Sequence, residues 1–96
     1  MACGGGQGGE APPLDAAAEE ACEAFEPVRR DVRRGELTGP NLYRVLQDVY
    51  DQARQSQRED VSGAAQRLLS AAINDDSRAV SQAVTELEQA CGLPFA

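Results

Sequence analysis

The sequence predicts an all-α fold, a small four-helix bundle with a kinked first helix and a disordered Gly-rich N-terminal tether. Three observations carry that reading. Apolar residues recur at three- and four-residue steps in four successive stretches, and no window sustains the period-two alternation of a strand. Aromatic residues are few (Phe25, Tyr43, Tyr50 and Phe95), so the interior is left to Leu, Val, Ile and many alanines, which suit closely spaced helices. Turn and cap residues fall between the stretches at spacings a short connection needs.

Residues 1–13, with Gly4-Gly5-Gly6, Gly8-Gly9 and Pro12-Pro13, hold too little apolar surface to offset their ordering entropy. They read as a flexible tether, and residues 14–96 as one helical domain. The first helix follows Asp15, a good N-cap, with Glu19 and Glu20 in its early turns. Its stripe is Ala18, Ala21, Cys22, Phe25, Val28 and Val32. Pro27 removes one backbone donor, but the stripe keeps its phase across it, which predicts a kink and not a break. Gly35 ends this helix, and the preceding arginines complement its negative end.

A second helix starts at Thr38 or Gly39, with Pro40 in its first turn and an apolar face of Leu42, Val45, Leu46, Val49, Tyr50 and Ala53. The polar stretch from Arg54 to Glu59 reads as a connection. A third helix then begins near Asp60, with Val61, Ala65, Leu68, Leu69, Ala72 and Ile73 facing inward. Asn74-Asp75-Asp76 makes a turn and Asp76 or Ser77 caps the fourth helix. That helix buries Val80, Ala83, Val84, Leu87 and Cys91 and stops at Gly92 and Pro94.

Composition excludes several functions. Sixteen acids against nine bases give a net charge of −7, which opposes nucleic-acid binding, since that begins by neutralising phosphates. The bases are all arginine, a choice that reads as GC-rich coding bias. Histidine is absent, which removes Ser-His-Asp and Cys-His catalysis, and three scattered cysteines cannot complete a tetrahedral zinc site. No CxxC is present, so a thioredoxin-like redox centre is not expected. Gly4 to Gly9 lacks both the preceding strand and the Gly-Lys-Ser/Thr ending of a phosphate loop. Glu19, Glu20, Glu23 and Glu26 form an acidic band without the spacing of a calcium loop. No catalytic, cofactor-binding or metal-binding residues are therefore assigned, and the chain is not expected to be an enzyme.

The candidate sites lie elsewhere. Cys22 and Cys91 each sit in phase with the buried stripe of a terminal helix, which predicts a disulfide between the first and last helices; the alternative is two buried thiols. Cys3, set among glycines, reads as a modification site. The cluster Arg29, Arg30, Arg33 and Arg34 reads as a solvated last turn, aided by a Glu26–Arg30 pair, or as a docking patch for anionic headgroups or an acidic partner. Each of its four arginines is expected to be exposed. Tyr43 and Tyr50 read as core or boundary residues. No run reaches the 18 or so apolar residues of a membrane span. Met1-Ala2-Cys3 leaves no room for a leader, so export would require one that has been removed or that lies upstream of this start.

The segments Ala21-Cys22-Glu23-Ala24-Phe25, Gly35-Glu36-Leu37-Thr38-Gly39-Pro40, Val49-Tyr50-Asp51-Gln52-Ala53 and Glu88-Gln89-Ala90-Cys91-Gly92 resemble small actinobacterial envelope lipoproteins of uncharacterised function. The likeness covers roughly residues 14–92. It implies a lipid anchor at Cys3, because Ala2-Cys3 matches the last two positions of a lipobox. It also implies an extracytoplasmic, membrane-anchored helical module with an interaction or structural role toward a protein partner of the envelope. The competing expectation is a reduced cytoplasmic adaptor or regulatory protein.

Overall fold

The computed structural model describes residues 13–93, and Cys3 and the expected tether, apart from Pro13, lie outside them. Four helices follow in order: α1 (Ala16–Arg33), α2 (Gly39–Ala53), α3 (Glu59–Ile73) and α4 (Ser77–Cys91). Among the described residues there is no strand. Each helix packs extensively on its neighbour in sequence, whereas α1 and α4 meet along a thinner seam. The bundle is therefore an up-down-up-down array closed between its first and last members.

Local chemistry sets the helix ends. The Asp15 carboxylate accepts the Ala18 N–H at 2.9 Å, and Asp76 does the same for Ala79 at 3.1 Å, so both satisfy donors that a first turn leaves open. α1 runs uninterrupted through Pro27. It ends in a Schellman turn, in which Gly35 takes φ 74° and the Glu36 N–H reaches the Asp31 carbonyl at 2.9 Å. α4 closes in the same way around Gly92, with Leu93 N–H donating to the Glu88 carbonyl. α3 uses Asp75 in that left-handed position, φ 55°, and the Asp76 N–H donates to the Ala71 carbonyl. Asp is one of the few non-glycine residues that tolerate this backbone.

The core follows most of the predicted stripe positions, and α3 buries Ala64 and Ala71 besides those its spacing marked. Phe25 sits at its centre among Leu46, Val49, Val61, Leu68, Val84 and Leu87, all essentially excluded from solvent. Alanines at 18, 21, 53, 64, 65, 71 and 83 fill the remaining buried positions and let the helices approach closely. Ile73 departs from expectation: it stands 60% exposed at the end of α3 instead of facing inward.

Candidate functional site

The α1–α4 seam brings together the residues with distinctive chemistry. Cys22 lies on the buried face of α1, seven residues after Asp15, and Cys91 is the last residue of α4. Their Cα atoms are 5.7 Å apart and the sulfurs are bonded, closing a covalent loop across 69 positions. The separation falls within the range native disulfides use. The bridge joins two helices that pack on each other much less than sequence neighbours do, so it adds a connection that packing supplies only thinly.

Farther along the seam an ion trio takes over. Glu88, 1% exposed, accepts from Arg29 Nη1 at 3.0 Å through one carboxylate oxygen and from Arg33 Nη2 at 2.8 Å through the other. Arg33 also donates to the Thr85 hydroxyl at 3.3 Å. Because α1 and α4 run antiparallel, Cys22 meets Cys91, Arg29 meets Glu88 and Arg33 meets Thr85 in descending order. Glu26, 3.8 Å from Arg29, supplies a second carboxylate, so the two arginines are balanced by two acids.

The expected arginine cluster is thus divided. Arg29 is buried, 5% exposed, which corrects the expectation that all four point to water. The physical reason is its position: one turn beyond Phe25 on the edge of the stripe, it faces α4, where Glu88 offers a countercharge that no local pattern announces. Arg33 is exposed as a residue but keeps its side chain only a quarter exposed, while Arg30 and Arg34 stand in solvent, Arg34 beside Glu36 at 3.9 Å. Glu26 lies 3.8 Å from Arg29, not paired with Arg30 as the four-residue spacing predicts.

At the disulfide end a second network links three helix termini. The Asp15 carboxylate, besides capping α1, accepts the Ser56 hydroxyl and the Gln57 N–H, both at 2.8 Å, from the α2–α3 connection. These donors hold the Asp15 carboxyl below the usual carboxylate range, the Gln57 N–H contributing most. Ser56 Oγ in turn accepts the Arg58 N–H at 2.9 Å. Arg58, only 8% exposed, grips Asp60 with Nε at 3.0 Å and Nη2 at 2.6 Å and donates to the Ala90 carbonyl at 3.0 Å. A guanidinium against the last turn of α4 complements that helix's negative end. The Arg58 contact holds Asp60 below the ordinary carboxylate range and raises Arg58 in return. Sequence reading missed Arg58, since a polar stretch of Gln, Ser, Arg and Glu reads as a solvated loop.

Among the described residues, no group of three or more Cys, Asp or Glu side chains is placed to hold a metal ion, and no helix is long and apolar enough to cross a membrane. No protein-family model, curated protein or solved structure matches this chain.

Proposed function

We propose that this chain is a non-catalytic helical module of the bacterial cell envelope, held at the membrane by lipid on Cys3 and working through contact with a protein partner. The observation that carries the reading is the Cys22–Cys91 disulfide, set into the fold at the seam that most needs it. Disulfides of this kind persist in oxidising compartments and are rare in the cytosol. A domain of about 80 residues buries a modest core, and a staple offsets that deficit. A single acyl chain anchors only marginally, so the anchor would carry the several chains of a bacterial lipoprotein.

The experiment is fractionation of the native host followed by intact mass measurement of the protein. The expected species partitions with envelope membranes, begins at Cys3 and carries diacylglyceryl and acyl groups. A soluble, unlipidated protein that starts at Met1 would refute the anchored reading.

A further inference from the structure

The end of the bundle opposite the disulfide is built differently from the rest. Here Pro40 and Tyr43 at the start of α2 face Ala72 and Ile73 at the end of α3 across an open furrow of about 480 Å³. Among the described residues Ile73 is the one large apolar side chain that stands out in solvent. A second furrow of about 290 Å³, floored by Leu37, Leu42 and Val80, adjoins the first, and Gly39, Ala72 and Asp75 line both. Asp75 is exposed and forms no ion pair with any described residue, whereas its neighbour Asp76 is occupied in capping α4. The lip shared by the two apolar furrows therefore carries a single uncompensated carboxylate, on a chain whose net charge is −7.

We infer that this furrow is the docking surface of the module, and that its occupant is a basic amphipathic helix of a partner protein. The inference rests on the interaction-module reading and specifies its site. An apolar residue of such a helix covers Ile73 and enters between Pro40 and Tyr43, while a Lys or Arg one turn away meets Asp75. Apolar grooves that accept helices are read by residues at three- and four-residue spacing, and a flanking charge sets orientation and on-rate. Complementarity to Asp75 and to the net charge disfavours an acidic helix, and it disfavours a second copy of this equally acidic chain.

The test uses the disulfide-bonded protein and two synthetic helices of equal length, one of leucine and lysine and one of leucine and glutamate. Binding is followed by titration calorimetry and by backbone-amide NMR. The expected result is saturable binding of the lysine peptide only, with shifts centred on Tyr43, Ile73 and Asp75. Ile73→Ser should weaken it by about tenfold or more, the loss typical of a central interface residue. Asp75→Asn, which keeps a residue suited to the left-handed backbone, should weaken it severalfold at low salt and less at high salt. Both positions are exposed, so thermal melts of the variants should match the parent and folding defects are separable. Binding of the lysine peptide to both variants as tight as to the parent would reduce the attraction to bulk charge and overturn the proposal. Absence of saturable binding would overturn it as well, as would a dimer abolished by Ile73→Ser. None of these outcomes bears on the envelope reading, which is decided by the native N-terminus and its lipid.

Discussion

Glu88→Ala is the perturbation that most directly probes the seam. The wild-type carboxylate is buried and receives one charged hydrogen bond from each of two arginines. Removing it leaves Arg29 with its charge out of water and its 3.0 Å partner gone; the remaining nearby acid, Glu26, is half exposed at 3.8 Å. Breaking a buried pair from one side costs about 3–5 kcal/mol. Arg33 can relax toward solvent and Glu26 partly compensates, so the lower end, about 3 kcal/mol, is expected. For a domain of this size that corresponds to a fall in Tm of roughly 12–24 °C. Urea unfolding with the disulfide intact measures it. Arg30→Ala and Arg34→Ala, whose side chains sit in solvent, should each change stability by no more than about 1 kcal/mol. The double variant Arg29→Met with Glu88→Leu should recover most of the loss, because an apolar pair of similar volume avoids the desolvation of both ions. If Glu88→Ala costs no more than Arg34→Ala, the trio is not stabilising the seam and the reasoning fails.

Arg58→Ala should destabilise by about 1.5–3 kcal/mol through loss of charged hydrogen bonds to Asp60 and the Ala90 carbonyl. Arg58→Lys should fail to restore it, since one ammonium cannot span both; full rescue by lysine in a denaturant titration would count against the fork geometry. Stability should also fall on acidification. Asp15 and Asp60 are held below their unfolded value of 3.8, so their contribution is fully present above that pH and is lost as pH drops through the lower folded values. Thermal melts of Asp15→Ala should show a shallower acid limb than the parent, and an unchanged limb would remove Asp15 from the account. Gly63→Ala should raise stability by about 0.4–1 kcal/mol, because a Cβ there meets only the far end of the Arg67 side chain, at 3.4 Å, within an ordinary helical turn. Gly35→Ala should lower it by about 1 kcal/mol through its left-handed φ; calorimetry giving the same sign for both would contradict the backbone assignment.

Features written in local chemistry were legible before the structure. Asp15, Gly35, Asp76 and Gly92 announce helix ends because a cap satisfies backbone groups only a few residues away. Cys22 and Cys91 were legible by phase, each a helical step from its neighbours on the stripe. What escaped depends on pairing across the chain. Arg29 and Glu88 are 59 residues apart, and each alone reads as a solvated helix charge. The available signal was that Glu88 follows Leu87, lies four residues after Val84, and so occupies an inward-facing edge. Arg58 escaped for the converse reason, because its polar surroundings in sequence concealed a fold that wraps Asp15, Asp60 and Ala90 around it. Ile73 fitted the stripe of α3 by spacing, but it is the last residue of that helix, beyond the cover of its neighbours.

A covalent clasp joins the first and last helices of this small domain through Cys22 and Cys91. By chain entropy, a link across 69 positions contributes about 4 kcal/mol, a large share of the 5–15 kcal/mol expected for a domain. The direct measurement is peptide mapping of the protein isolated from its host under thiol-trapping, non-reducing conditions. The expected result is a peptide pair joined through Cys22 and Cys91 that separates on reduction, with neither cysteine alkylated beforehand. Quantitative alkylation of both cysteines in the native protein would contradict it.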